Sequence, residues 1–144
     1  MHQSAFENCQ HFFECYGKEI ASQSQSVRVI EIGAKIVDGS IVNGSIRSCS
    51  PKEFEYIGLD FEQGNGVDLL LSDPYVLPFD NDSIDVVLTS SVFEHSEMFW
   101  LVYLEILRVL KPTGLYYMNA PSNGYFHRFP VDCWRFYPDS GNAL

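Results

Sequence analysis

Four short apolar segments, each ending in a polar residue, dominate the hydrophobic pattern of the chain. They cover 27–33, 56–60, 67–73 and 84–90 and are built largely from Val, Ile and Leu. Continuous apolar runs of this length are typical of parallel strands that are buried on both faces. The carboxyl ends of such strands share one edge of the sheet, where open α/β sheets bind ligands. The pattern therefore predicts an α/β sheet with a ligand crevice along the polar strand ends.

Two helical patterns accompany these strands. The segment 4–20 carries apolar residues at helical spacing, so we expect an amphipathic helix that lies on the sheet or over the crevice, with Gly17 as its stop. The segment 97–110 is apolar nearly all round, which predicts burial on more than one side, with Ser96 as its cap. A fifth strand is predicted at 115–119.

The loop after the first predicted strand departs from the usual nucleotide-binding pattern. Gly33 is followed by Ala34, and the next glycine is Gly39, so the G-x-G-x-x-G spacing fails. The Gly/Ser/Asn-rich stretch 38–50 is predicted to form a short or irregular helix. Its backbone N–H groups remain candidates for binding a carboxylate. This loop alone does not identify a nucleotide site.

Composition and charge narrow the classes of function. With 144 residues the chain fits one domain, 1–144, and 46% of it is hydrophobic. The net charge of -10, with only nine Lys and Arg, argues against nucleic-acid and anionic-membrane partners. The sequence has neither an apolar run of about 20 residues nor a signal-peptide pattern, so we expect a cytoplasmic protein. Its four cysteines and four histidines lack metal-ligand spacing, and no metal site is predicted.

Short motifs follow one another in a fixed order at the strand ends. They are Glu31-Ile32-Gly33, Ile57-Gly58-Leu59-Asp60, Asp73 with Leu77-Pro78-Phe79, Ser83-Ile84-Asp85-Val86-Val87 and Glu94-His95. In this order they resemble the class I S-adenosylmethionine-dependent methyltransferases, over roughly 27–119. The resemblance implies a Rossmann-like three-layer sandwich with a mainly parallel sheet of strand order 3-2-1-4-5. It also implies S-adenosyl-L-methionine as cofactor and S-adenosyl-L-homocysteine as product.

The resemblance further implies roles for residues at the strand ends. The methionine end of the cofactor would lie near Gly33 and Ser90, the ribose on Asp60 and the adenine amine on Asp73. A lone Asp60 is equally well explained as a turn residue or a helix cap. The predicted cofactor-binding residues are Glu31, Gly33, Ala34, Asp60, Phe61, Asp73, Pro74, Tyr75 and Ser90.

An aromatic and basic segment, 120–139, follows the fifth predicted strand. It is similar to the His-Arg-x-Pro-x-Asp-x-Trp-Arg-Phe segment of a methyltransferase subgroup associated with surface-polysaccharide biosynthesis. The similarity implies a sugar or another hydroxylated acceptor. Alternatively, the segment is a lid that packs its aromatic rings inward and pairs Arg128 or Arg135 with Asp132. The predicted acceptor-binding residues are Tyr125, Arg128, Trp134 and Arg135.

Candidate proton acceptors lie near this segment. Methyl transfer from a sulfonium depends mainly on positioning, but an acceptor hydroxyl or amine must also lose a proton. His95 and His127 are the histidines in the right region, and imidazole titrates near neutral pH. We favour His127, with Asp132 as its orienting group or as an alternative base. A purely structural role is the competing interpretation for each histidine.

The end of the chain bears on its organisation and function. Members of the resembled family continue with helices and an antiparallel hairpin, so we expect either a longer polypeptide or a sheet edge covered by a partner chain, such as a homodimer. We favour the first, a chain truncated before the C-terminal hairpin. We divide the domain into an N-terminal helix (1–20), a cofactor-binding core (27–119) and an acceptor-side loop (120–144). The leading hypothesis is a methyltransferase acting on a small molecule or glycan. The alternatives are a cofactor-binding domain with little activity and a nucleotide-sugar or NAD-dependent enzyme.

Overall fold

A five-stranded parallel sheet forms the centre of the computed structural model, which describes residues 3–37 and 45–144. The strands are β1 (Arg28–Ile32), β2 (Glu55–Asp60), β3 (Leu69–Leu70), β4 (Ile84–Ser90) and β5 (Leu110–Asn119). Their order is β3-β2-β1-β4-β5, and every neighbouring pair is parallel. The predicted sheet and its strand order are confirmed, with β3 as a short edge strand.

Helices cover both faces of this sheet. The two long ones are α1 (Gln3–Gln23) and α2 (Phe99–Val109). The chain also forms 3-10 helices at Ile46–Cys49 and Phe93–His95, and a short helix without buried residues, α3 (Ser140–Ala143), near its end. One apolar cluster joins α1 to Val29, whereas the cluster on the other face joins α2 to Ile30 and Ile32. Successive residues of β1 thus serve opposite faces, as strand geometry requires. The result is the predicted three-layer sandwich. None of the described helices combines the length and hydropathy needed to span a membrane.

The first helix is longer than predicted. It continues through Gly17 to Gln23, so the expectation that Gly17 ends it is wrong. Beyond the glycine, Ile20 is 3% exposed in the cluster beneath the helix. Burying an isoleucine side chain contributes about 1.5–3 kcal/mol, which outweighs the cost of about 1 kcal/mol for a glycine inside a helix. The helix lies on the sheet rather than over the strand ends.

The second helix is more exposed than predicted. Val102, Ile106 and Val109 are buried, whereas Leu104 and Leu107 are 59% and 50% exposed. The expectation of burial on several sides is therefore wrong within the described part of the chain, because only one face of α2 meets the sheet.

The ends of α2 also differ from the prediction. Met98 rather than Ser96 occupies its N-cap, and Ser96 instead ends the preceding 3-10 helix. The next strand begins at Leu110, earlier than predicted. Leu110 pairs with Ile84 and Leu115 pairs with Val86, so the residues between them form an irregularity inside β5.

The connection from β1 to β2 contains no long helix in its described part. The 3-10 helix Ile46–Cys49 packs against α1 and agrees with the short or irregular helix predicted within 38–50. The remainder of that prediction, 38–44, lies outside the described residues.

Candidate functional site

The carboxyl ends of three neighbouring strands bring several predicted site residues to one edge of the sheet. In register, Ile32 at the end of β1 lies beside Leu59 of β2 and Thr89 of β4. The next residues along the chain, Gly33, Asp60 and Ser90, therefore share this edge. This is the position at which parallel α/β sheets bind their ligands.

The loop after β1 makes a close contact with the segment after β4. Gly33 has a φ of +77°, and a Cβ atom there would lie 2.6 Å from Cγ2 of Val92. Both facts require glycine at this position.

The N–H groups of this loop are already engaged. Gly33 and Ala34 donate to the Leu59 carbonyl at 2.9 and 3.0 Å, and Ile36 donates to the Asn65 carbonyl at 2.8 Å. The prediction of N–H groups that bind a carboxylate concerned 38–50, where the N–H groups of Arg47, Ser48 and Ser50 bond within the loop and 38–44 lies outside the described residues. The Lys35 N–H donates to the Asp60 carboxylate, so all four N–H groups of 33–36 are bonded within the protein. The physical reason is that the chain crosses the end of β2 as an extended segment rather than starting a helix.

Asp60 holds two loops together at the end of β2. Its Oδ2 accepts from the Lys35 N–H and its Oδ1 from the Glu62 N–H, both at 3.0 Å. The residue is 8% exposed. Each carboxylate oxygen has a second lone pair, so these bonds leave Asp60 able to accept further hydrogen bonds from a ligand.

Glu31 is buried on the face of the sheet that carries Val29. Its Oε2 accepts from the Tyr56 hydroxyl at 2.8 Å and from the Ser45 hydroxyl at 2.9 Å, and the residue is 4% exposed. Burial raises the pKa of Glu31 to about 7, although both hydroxyl donors act in the opposite direction. The carboxyl group is therefore held inside the domain and titrates near neutrality.

Ser90 ends β4 with a polar atom that the protein leaves unused. Its Oγ is buried and has no hydrogen-bond partner among the described residues. A buried hydroxyl without a partner costs about 1–3 kcal/mol. A polar ligand atom at this strand end would remove that cost, so Ser90 fits a ligand site.

The side of the crevice formed by β2 and β3 is open and partly aromatic. Phe61, directly after β2, is 48% exposed. Beyond β3, the exposed Asp73 accepts from the Tyr75 N–H at 2.8 Å and is followed by the exposed Pro74. The Tyr75 side chain packs against the core. The predicted adenine-binding residues thus follow neighbouring strands, with Phe61 offering its ring to solvent.

Asp132 organises the segment after β5. Its side chain is 1% exposed and accepts from Nη1 and Nη2 of Arg135, at 2.5 and 2.9 Å, and from the His127 N–H at 2.7 Å. The Arg135 guanidinium first, and then the His127 N–H, hold the pKa of Asp132 well below its usual range. A carboxylate so fully engaged is a poor proton acceptor. The geometry favours the orienting role over the role of an alternative base.

The two interpretations of this segment apply to different residues. Trp134 donates from Nε1 to the Ser96 carbonyl at 2.8 Å and its ring lies 5.5 Å from Phe99, so it anchors the segment on α2. Arg135 is likewise occupied within the segment. Tyr125, by contrast, is 83% exposed, and the exposed Arg128 makes one long bond of 3.3 Å to the Pro130 carbonyl. Tyr125 and Arg128 therefore remain available to a ligand.

His95 and His127 meet at the end of β4. Their ring centroids are 4.9 Å apart in an edge-to-face arrangement. Glu94 lies beside them, 1% exposed, and burial raises the pKa of its carboxyl group. One ligand atom from each of these three residues lies within 4.8 Å of the others. Sequence spacing missed this group because His127 comes from a distant segment, and the adjacent Glu94-His95 pair was its only local signal.

Two shallow depressions of about 270 and 360 Å³ lie elsewhere, between α1 and 48–53. Their lining contains none of the predicted site residues and lies near the start of β2, at the opposite end from Asp60. We therefore place the candidate site by the strand ends rather than by surface shape.

Comparisons with known proteins agree with this architecture. A SAM-dependent methyltransferase from Archaeoglobus fulgidus superposes with a TM-score of 0.62 at 17% identity, over 96% of this chain and 66% of that one. The YcgJ protein of Bacillus subtilis superposes with a TM-score of 0.56 at 19% identity, over 84% of this chain and 52% of that one.

Sequence comparisons give the same class. A Mycobacterium tuberculosis protein described as an uncharacterized methyltransferase is 51% identical over 39 residues, which is 27% of this chain and only 15% of the relative's length. The sequence model of the family described as "Methyltransferase domain" matches residues 22–118. Because that match spans well over half of its length, the chain belongs to the methyltransferase domain family.

Proposed function

We propose that this protein transfers a methyl group from S-adenosyl-L-methionine to a small hydroxylated acceptor, such as a sugar of a glycan. The observation that carries the proposal is the convergence of Gly33, Asp60 and Ser90 at the carboxyl edge of a parallel 3-2-1-4-5 sheet. Membership of the methyltransferase domain family supports the reaction. Similar folds occur in proteins described as SAM-dependent methyltransferases, which supports the choice of cofactor.

The residues present suit such a cofactor. Asp60 has free lone pairs for the ribose hydroxyls, and the unpartnered Ser90 hydroxyl suits the polar methionine end. The exposed ring of Phe61 offers an apolar surface to adenine, with Asp73 beyond the neighbouring strand as acceptor for its amine. When bound, S-adenosylmethionine would supply a methyl group already activated on a sulfonium. The chain's own residues would bind, orient and shield the reactants.

The acceptor would lie against the segment after β5. Tyr125 and Arg128 offer an aromatic face and a guanidinium, a combination that suits a hydroxylated and partly anionic acceptor. Trp134, Arg135 and Asp132 would keep the segment in place. His127, with its side chain 30% exposed, and His95 are the groups able to interact with the acceptor's proton.

Calorimetric titration with S-adenosylhomocysteine tests the cofactor assignment. Replacing Asp60 by Ala should weaken binding about 10- to 100-fold, since about 1.5–3 kcal/mol is lost when a hydrogen bond to a charged group is removed. Asp80→Ala, which removes an exposed carboxylate just before the start of β4 and so at the opposite edge of the sheet, is the matched control and should bind normally. Unchanged affinity in Asp60→Ala would remove this residue from the site, and binding of NAD instead would favour a nicotinamide enzyme.

A cofactor-binding domain with little activity is the second candidate. The observation that favours it is the loop after β1, where Val92 packs on Gly33 and the N–H groups of 33–36 are already bonded. Incubation with S-adenosylmethionine and a panel of sugars separates the two candidates, because only an active enzyme releases S-adenosylhomocysteine.

The cytoplasmic location, the homodimer and the lack of nucleic-acid or membrane partners stay predictions. Light scattering would measure the oligomeric state.

A further inference from the structure

Three side chains that commonly bind metals meet beside the end of β4. Glu94 and His95 belong to the 3-10 helix Phe93–His95, and His127 reaches them from the segment after β5. Their candidate ligand atoms lie within 4.8 Å of one another. Two chain segments that are far apart in sequence thus place one carboxylate and two imidazoles next to one another.

The hydrogen bonds of both imidazoles leave one nitrogen of each ring free to coordinate. Nδ1 of His95 lies 2.6 Å from the Val131 carbonyl, and Nδ1 of His127 lies 3.1 Å from the Tyr125 carbonyl. A carbonyl oxygen can only accept, so Nδ1 carries the hydrogen in each neutral ring. Nε2 is then the lone-pair nitrogen in both. Metal-binding histidines are oriented in the same way by backbone carbonyls bonded to their other nitrogen.

Glu94 supplies an independent observation. Its side chain is 1% exposed, yet its Oε2 has no hydrogen-bond partner among the described residues. Its other oxygen, Oε1, lies 3.9 Å from Nε2 of His95, beyond hydrogen-bonding distance. The Ser91 hydroxyl and the Glu94 backbone N–H lie near this carboxyl group, but Oε2 itself has no partner. A buried carboxylate oxygen is rarely left in this state, because removing its charge from water is costly. A cation between Glu94 and the two histidines would balance that charge.

We propose that Glu94, His95 and His127 bind one divalent cation of the borderline class, such as Zn²⁺, Co²⁺ or Fe²⁺. Two imidazole nitrogens and one carboxylate oxygen suit these ions, whereas Mg²⁺ and Ca²⁺ prefer oxygen ligands throughout. Metal–ligand bonds of about 2.0–2.1 Å place tetrahedral ligand atoms roughly 3.4 Å apart. Pairs of ligand atoms must therefore approach by up to about 1.4 Å, and His127, whose side chain is the most exposed of the three, can move inward.

Three protein ligands leave a coordination position for the acceptor. This role, unlike the site itself, rests on the proposed methyltransferase function. A cation held there would act as a Lewis acid that favours loss of the acceptor's hydroxyl proton to solvent. The acceptor oxygen would then form the new bond to the methyl carbon while the carbon–sulfur bond of S-adenosylmethionine breaks and S-adenosylhomocysteine leaves. With their Nε2 lone pairs on the ion, His95 and His127 would be ligands rather than free bases.

Titration of the metal-free full chain with Co²⁺ tests the site, followed by visible absorption and by elemental analysis after dialysis. We expect one Co²⁺ per chain, with affinity reduced about 100-fold or more in His127→Asn and in Glu94→Gln. The exposed His11 and Cys15 on α1, whose Nε2 and Sγ atoms are 3.6 Å apart, could bind Co²⁺ themselves. The double variant His11→Asn/Cys15→Ser controls for this pair and should keep the site. Far-ultraviolet circular dichroism verifies folding, and His127→Asn decides the outcome if Glu94→Gln does not fold.

The outcomes separate this site from the proposed function. No Co²⁺ uptake at micromolar concentrations, or uptake lost in His11→Asn/Cys15→Ser but kept in His127→Asn, overturns the metal site. Titration of the same samples with S-adenosylhomocysteine gives the second measurement. Normal S-adenosylhomocysteine affinity without Co²⁺ binding refutes the metal site alone, whereas Co²⁺ binding without S-adenosylhomocysteine binding refutes the proposed cofactor and leaves the metal site standing.

Discussion

The buried carboxyl group of Glu31 should make the stability of this protein depend on pH. Its pKa is raised from an ordinary 4.5 to about 7 by burial. In the unfolded chain the group loses its proton near pH 4.5, but in the folded chain it keeps it until about pH 7. Between these values the folded state binds more protons, so the free energy of unfolding must fall as pH rises through this window and level off above it.

The size of this effect follows from the width of the window. A shift of roughly 2.5 pH units corresponds to about 3 kcal/mol, at 1.36 kcal/mol per unit. Glu31→Gln removes the titration while its amide oxygen can still accept from Ser45 and Tyr56. Any constant cost of the amide cancels when one variant is compared at two pH values. Relative to that of the original protein, the free energy of unfolding of Glu31→Gln should therefore rise by about 2.5 kcal/mol between pH 5 and pH 8, because part of the effect falls below pH 5.

Urea unfolding at several pH values, followed by tryptophan fluorescence, measures this difference. Glu53→Gln removes one negative charge from an exposed position and serves as the matched control. Its free energy of unfolding should differ from that of the original protein by a nearly constant amount between pH 5 and pH 8. The free energies of unfolding of Glu31→Gln and the original protein are compared at pH 5 and pH 8. If their difference changes by less than about 0.5 kcal/mol, burial does not raise the pKa of Glu31 as stated.

Two glycines give further predictions, with opposite signs. Gly17→Ala should raise the free energy of unfolding by about 0.5–1 kcal/mol in urea denaturation, because the new Cβ would lie 3.9 Å from Pro51 and helix entropy favours alanine; a loss of stability would contradict the continuous α1. Gly33→Ala should lower the free energy of unfolding by more than about 1–2 kcal/mol. The residue has a positive φ, and the added Cβ atom would lie only 2.6 Å from Val92. Adding Val92→Ala to Gly33→Ala should restore only part of that loss, whereas additive effects in the double-mutant cycle would show that the two side chains do not interact.

The limits of the sequence prediction are clearest in the helices. The first helix was expected to end at Gly17, yet burial of Ile20 carries it to Gln23. The second was expected to be buried on several sides because it is apolar nearly all round, yet Leu104 faces solvent. A periodic pattern reports which faces are apolar. It does not report which of them finds a partner, and that depends on elements distant along the chain.

The candidate site shows the same division. Its strand-end residues were predictable because a polar residue after a short apolar run is a local pattern, and parallel pairing then brings Asp60 and Ser90 to one edge. The two loops that Asp60 holds were not predictable. The role of Asp132 was not predictable either, since its carboxylate accepts hydrogen bonds from Arg135 and from the His127 N–H. Partners of this kind are chosen by three-dimensional packing.

The sequence by itself determined the apolar strands, their parallel arrangement and the motifs of the family, because each is written in neighbouring residues. Only the tertiary structure decided that the loop after β1 uses its own N–H groups and that Glu31 is buried. The meeting of Glu94 with His127 was likewise a tertiary outcome. The physical reason is that burial, hydrogen-bond pairing and coordination depend on distances through space, which a linear pattern does not contain.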